Sequence, residues 1–124
     1  MASVLLAIKP EFAEKILSGE KKFEFRKFIP KAKVDKIFIY ATRPVQRVVG
    51  EALVLEILSD NPDELWKKAE KFAGIGRDFF DSYFSGHGQA YAYQLGRVVR
   101  FEVPKSLFEF GIHVAPQNFV YIKK

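Results

Sequence analysis

Residues Gly19 to Arg26 read Gly-Glu-Lys-Lys-Phe-Glu-Phe-Arg, and this octet constrains the fold more than any other stretch. A glycine suited to close a helix is followed at once by strand-like alternation, so a helix must run directly into a sheet at this point. Alternation places Lys22, Glu24 and Arg26 on one strand face and Phe23 and Phe25 on the other. The charged face therefore stands over an apolar anchor. A carboxylate two residues from a guanidinium on one face is a fixed polar pair, and Lys21 at the turn can lean towards it. Such a cluster can grip an anion or polarise a bond. On spacing alone the plainer expectation is a solvated strand face.

A chain of 124 residues matches one domain, spanning 1–124, and is long enough to bury about two-thirds of its unfolded surface around one core. With 48% hydrophobic and 28% charged residues, it reads as a soluble globular protein rather than a disordered one. Cysteine is absent, which excludes disulfides, thiolate metal sites and thiol catalysis. The first residues carry a short apolar run without a basic leader, and no stretch approaches the roughly 20 apolar residues of a membrane span. The expectation is an intracellular, cytoplasmic protein that does not meet a membrane.

The net charge of +5 is unevenly distributed. Residues 1–50 hold 11 Lys and Arg against 5 Asp and Glu, whereas residues 51–124 hold 9 against 10. Between Lys21 and Arg47 there are nine basic and two acidic residues, interleaved with Phe23, Phe25, Phe28, Phe38 and Tyr40. Cations for phosphates and aromatic faces for bases are what single-stranded nucleic acid requires. Against this stands the ordinary distribution, in which phenylalanines form cores and lysines lie on surfaces.

The pattern predicts a strand over Ser3–Ile8, then a helix opened by Lys9-Pro10, with Phe12, Ala13, Ile16 and Leu17 on one side and Gly19 at its end. After the charged strand at 22–26, a basic turn built on Pro30 leads to Val34–Thr42, apolar on both faces and therefore central. Arg47–Leu58 is the longest strand candidate, with Gly50 marking a bulge or a close approach. Asn61-Pro62-Asp63-Glu64 starts a helix whose buried stripe is Leu65, Trp66, Ala69, Phe72 and Ala73. A second short helix, Arg77–Phe84, turns Phe79, Phe80, Tyr83 and Phe84 inward. Ala90–Val103 is a strand or a hairpin bent at Gly96, and Asn118–Ile122 is the last strand.

Five or six short strands with helices between them, lacking βαβ regularity, predict an α+β fold built on a small mixed barrel. Leu6-Ala-Ile-Lys-Pro10, the helix after it, and Gly19-x-Lys21-x-x-Glu24-x-Arg26 resemble the ASCH domain family. The similarity continues through Ile39-Tyr-Ala-Thr42, Val49-Gly50-Glu51 and the terminal Ala-Pro-Gln-Asn-Phe119. The resemblance implies a PUA-like β-barrel of five to six strands and an RNA- or nucleotide-binding role, with a cleft between the first helix and the barrel. It also implies an alternative, a metal-independent hydrolase acting on acylated cytidine or RNA, hence an amidohydrolase or a ribonuclease. In the deacylating members a lysine, a threonine and a glutamate carry the chemistry. Lys21 matches that lysine, but position 24 is glutamate in place of threonine, and Glu51 and Glu56 are the available later carboxylates.

The candidate ligand-binding residues are Lys9, Lys21, Glu24, Arg26, Thr42, Arg43, Tyr91 and Gln117, with Lys21 and Glu24 catalytic if the protein is an enzyme. The family places Lys9 in its cleft, and a cation beside a helix N-terminus adds to an anion site. Glu24 is suited to orient Arg26 or Lys21. Lys21, flanked by cations that disfavour its own charge, is suited to act as a nucleophile or proton carrier. Thr42 and Arg43 follow a central strand, where they can meet a ligand or only cap the strand. Tyr91 and Tyr93 share a strand face, for stacking or for core packing. Gln117 and Asn118 can read a base edge or serve a turn. His87 and His113 lack partner carboxylates at ligand spacing, so neither a metal site nor a cofactor is expected.

Overall fold

The computed structural model describes residues 1–123. Strand β1 (Ala2–Ile8) leads through helix α1 (Pro10–Leu17) to β2 (Phe23–Arg26), followed by β3 (Val34–Ala41) and β4 (Arg47–Asp60). Helices α2 (Pro62–Ala69) and α3 (Arg77–Tyr83) separate β4 from β5 (Ala90–Lys105), and β6 (Phe119–Ile122) comes last. The six strands form one sheet in the order β2-β5-β4-β3-β1-β6. The β1–β3 pair is parallel and the other pairs are antiparallel. No helix among the described residues is long and apolar enough to cross a membrane.

The sheet is barrel-like without a continuous ladder, because its edge strands β2 and β6 do not pair with each other. Side chains bridge the seam instead. Arg26, at the end of β2, donates to Asn118 Oδ1 at 2.9 Å and to the Ala7 carbonyl of β1 at 2.8 Å. Asn118 in turn donates through Nδ2 to the Phe28 carbonyl at 3.1 Å. The α+β class with six strands agrees with the expectation, and the polar seam sets one end of β2 beside the end of β1.

From Val4 onward strand β1 is apolar because both faces are covered: Val4, Leu6 and Ile8 join the main core, while Leu5 packs with Tyr40 and Val48. Strand β3 is central for the same reason. At Gly50 both expectations hold: Ile39 pairs with Gly50 and Tyr40 with Val48, leaving Val49 as the extra residue of a bulge. A Cβ on Gly50 would also lie 2.5 Å from the Val99 carbonyl oxygen. Strand β5 is one 16-residue strand rather than a hairpin. Near Gly96 it slips register against β4, from Ala52↔Val98 to Val54↔Leu95.

Two helical stripes differ from the sequence pattern. The α2 helix ends at Ala69 and continues as a 3₁₀ turn over Glu70–Phe72, which breaks the helical phase. Phe72 is thereby rotated out of the core, and the Lys22 ammonium lies 4.5 Å from its ring centre. In α3, Phe80 and Phe84 occupy the buried row with Trp66 and Phe25. Phe79 and Tyr83 form the neighbouring i, i+4 row and face a cavity instead.

Candidate functional site

The cavity, of about 250 Å³, opens where the start of α1 meets β2 and α3. Lys21, Glu24 and Arg26 form its floor, all of them buried. The Glu24–Arg26 part of the charged strand face is thus not solvated, because α1 and α3 close over it. Lys22, expected on the same face, is exposed beside Phe72, and Lys21 from the turn takes its place. Phe12, Phe25, Phe79 and Tyr83 supply the aromatic walls, and Lys9 and Gln117 are exposed at the rim. Phe12 and Phe79 meet edge to face with centroids 5.5 Å apart, and the Lys9 ammonium sits 5.7 Å from the Phe79 centroid.

Only 2% of Lys21 is exposed. Its Nζ donates to the Ala73 carbonyl at 2.5 Å and stands 3.9 Å from Glu24 Oε1, between the rings of Phe12 (5.4 Å) and Phe25 (4.9 Å). The loop after α2 makes this arrangement possible. Gly74 has φ +70°, and a Cβ there would lie 2.6 Å from Lys21 Cβ and Cγ, so a side chain is excluded twice over. Burial lowers the Lys21 pKa to about 8, with Glu24 opposing the shift and Lys15 and Arg26 adding to it. The direction matches the sequence-based expectation, but the leading cause is desolvation and not the neighbouring cations. At neutral pH about one-tenth of Lys21 is then a free amine.

Glu24 Oε2 accepts from Arg26 at 2.8 Å, and with the Asn118 and Ala7 contacts this fixes the guanidinium in one orientation. Two cations and one carboxylate leave the floor with a net positive charge while Lys21 is protonated and none when it is not. Arg26 Nε and the Tyr93 hydroxyl are buried without a hydrogen-bond partner among the described residues. Tyr93 lies opposite Glu24 in the β2–β5 pair. Burial raises its pKa well above the usual phenol range, so it remains a neutral hydroxyl.

Of the residues singled out in the sequence, Lys9, Lys21, Glu24, Arg26 and Gln117 converge on this cavity. Thr42 and Arg43 do not line it: the Thr42 amide donates to the Ile8 carbonyl at 3.0 Å, and Arg43 is exposed beyond the end of β3. Tyr91 lines a second hollow, Tyr93 is core, and Asn118 is a seam residue. Glu51 pairs with Lys36 at 2.9 Å and Glu56 is exposed on β4, so neither supplies a second carboxylate. No group of three metal-ligating side chains occurs among the described residues. Sequence reasoning missed Phe79, Tyr83 and the Ala73-Gly74 support. The i, i+4 spacing of Phe79 and Tyr83, beside the separate Phe80–Phe84 row, was the available signal.

The family model for the ASCH domain matches residues 6–105, and the chain belongs to that family. It is 37% identical over 92 residues to an ASCH domain-containing ribonuclease from Zymomonas mobilis, covering 73% of this chain and 62% of that protein. It is 32% identical over 122 residues to an ATP synthase subunit alpha from Ureaplasma parvum, covering 98% of this chain and 15% of that protein. The chain therefore spans only part of the length of these curated relatives. A crystal structure of ASCH from Zymomonas mobilis superposes with a TM-score of 0.91 at 30% identity, covering 99% of this chain and 89% of that one.

Proposed function

We propose that the cavity binds one nucleotide of single-stranded RNA, with the base between the aromatic walls and a phosphate at the rim, and that residues 1–124 act as one binding unit. The observation that carries this is the buried Lys21–Glu24–Arg26 floor beneath four aromatic rings. A base has flat apolar faces and a polar edge with both donors and acceptors, and the cavity presents the complement of both. Lys21 and Arg26 donate towards carbonyl oxygens and ring nitrogens of the base, Glu24 accepts from exocyclic amines, and Lys9 meets the phosphate. The Zymomonas mobilis relative named as a ribonuclease supports RNA as the nucleic acid. Chemical-shift mapping with a pyrimidine mononucleotide tests the site: perturbations are expected at Lys21, Gly74 and Phe79. Perturbations confined to residues 51–71 would sink the reading.

A second reading, metal-independent hydrolysis, is favoured by one observation, the buried Lys21 with its lowered pKa. Its free amine can take the proton of a ribose 2′-hydroxyl as that oxygen attacks the adjacent phosphorus, with Arg26 near the growing charge. The P–O5′ bond breaks, leaving a 2′,3′-cyclic phosphate, and the departing 5′-oxygen takes a proton from water. Deacylation of acylated cytidine is less well supported, because Glu24 stands where that group has threonine and no second carboxylate lines the cavity. RNA cleavage by the wild type in the presence of a chelator, abolished in a folded Lys21→Met variant, would establish catalysis. Tight binding with no turnover would leave the domain a binding module.

A further inference from the structure

A second hollow, of about 450 Å³, lies beside the first and is lined by Lys27, Phe28, His87, Tyr91 and the glycines flanking His87. Its aromatic groups come from three parts of the chain: the loop after β2, the loop after α3, and the start of β5. Phe28 is 68% exposed, although it is among the most apolar side chains in the chain. Its ring meets the edge of His87, with centroids 6.3 Å apart and planes at 84°. The loop that carries it is tied down by the bond from Asn118 to the Phe28 carbonyl. Gly86, at φ +82°, and Gly88 have nothing within 4 Å of where a Cβ would be, so a ligand can approach that backbone closely. Gln89 at the margin donates to Ser59 Oγ through its amide nitrogen, which leaves its carbonyl oxygen to accept.

What relates the two hollows is the residue between them. Lys27 follows Arg26 directly, lines the second hollow, and holds its ammonium 4.7 Å from the centre of the Tyr83 ring. Tyr83 is a wall of the first cavity. The order across the surface is thus aromatic cavity, cation, aromatic hollow. This is the order base, phosphate, base of a nucleic acid strand. The shared wall, Tyr83 with the Lys27 ammonium against its ring, is one side chain thick, so the two hollows are neighbours.

We propose that the hollow between Phe28, His87 and Tyr91 holds the base of the nucleotide adjacent to the one in the main cavity, with Lys27 on the phosphate that joins them. The proposal rests on the RNA reading of the main cavity. Base stacking on an aromatic side chain contributes about 1–3 kcal/mol, or roughly 5- to 150-fold in affinity. Because Phe28 is exposed, its truncation leaves the core intact.

The test is calorimetric titration of wild type and Phe28→Ala with uridine monophosphate and with a 2′-O-methyl uridine dinucleotide, which cannot be cleaved through its 2′-oxygen. The dinucleotide is expected to bind the wild type at least about tenfold more tightly than the mononucleotide. Phe28→Ala should remove about tenfold for the dinucleotide and leave the mononucleotide unchanged, with amide shifts at Gly86 and Gly88 appearing only with the dinucleotide. Equal affinity for both ligands, or equal losses for both in Phe28→Ala, would overturn the second subsite while leaving the first cavity standing. Wild type that binds neither ligand would overturn both, and would make the exposed Phe28 patch a protein-docking surface in preference to an RNA one.

Discussion

Arg26 and Arg77 each hold a carboxylate at 2.8 Å, Glu24 in one case and Asp81 in the other, yet the two pairs have opposite physical meaning. The Arg77 network, which also reaches Asp63, lies on the outside of α2 and α3 with its side chains about half exposed. Water solvates those charges whether or not they touch, so the contact changes little. The Arg26–Glu24 pair is less than one-tenth exposed and shares its site with a third buried charge, Lys21. There each charge has lost its water, and the neighbours must replace it. Contact distance alone does not measure an ion pair. Burial decides whether it decorates a surface or builds a site.

The sharpest way to break this comparison is to remove one carboxylate from each region. Glu24→Ala leaves Arg26 and Lys21 buried without their counter-charge, and a loss of about 3–5 kcal/mol is expected. Asp81→Asn should leave the urea midpoint within error of the wild type. Denaturation of both variants with an unchanged slope checks the pair of outcomes. If the two mutations shift the midpoint equally, the buried cluster is solvated in solution and the contrast fails.

The second effect is read in the pH dependence. Lys21 titrates near pH 8 in the fold and near 10.5 when unfolded. Below about pH 8 the folded state carries the full penalty of a buried ammonium. As pH rises from 8 to 10.5, the unfolded chain still binds this proton and the folded chain has released it, so stability rises with pH. The lowered pKa corresponds to about 3 kcal/mol. Lys21→Met should therefore lack about 3 kcal/mol of the rise that the wild type shows between those limits. Parallel stability curves for the two proteins would show that Lys21 is not desolvated. The same residue that would carry binding or chemistry thus makes the folded state less stable at neutral pH, a conflict that marks a functional site more convincingly than a structural one.

How far the sequence revealed this depended on sequence distance. Lys9, Lys21, Glu24 and Arg26 belong to one contiguous α1–β2 unit, whose alternation and closing glycine are local signals. The central position of β3, the bulge at Gly50 and the capped start of α2 were legible for the same reason. What surrounds the charged strand was not. Ala73, which accepts from Lys21, is 52 residues away in sequence, and the walls Phe79 and Tyr83 are more distant still. No periodicity within β2 could show that its charged face is covered by α3, so the solvated face was the natural expectation. Thr42 and Arg43 were drawn in because they end a strand adjacent to β1, but strand adjacency fixes neighbours, not which loop reaches a cavity. Tyr91 and Tyr93 illustrate the remaining ambiguity: β5 contributes one to a hollow and the other to the core, with the same sequence environment.

The smallest effect separates the two charged regions by their ligand rather than their stability. If RNA phosphate meets the rim, Lys9 releases about one counterion, and Lys9→Ala should flatten the slope of log affinity against log salt by about 0.7 for a single strand. Arg77→Ala removes one unit of the same charge from the exposed network and lies outside the lining of either hollow. Its slope should match the wild type, apart from a small parallel weakening from the reduced net charge. Titrations of a short uridine oligonucleotide at four or five salt concentrations distinguish the two variants. Equal flattening in both would mean that RNA is held by the diffuse positive field of the molecule, and the aromatic cavity with its buried cluster would then need a ligand without a phosphate.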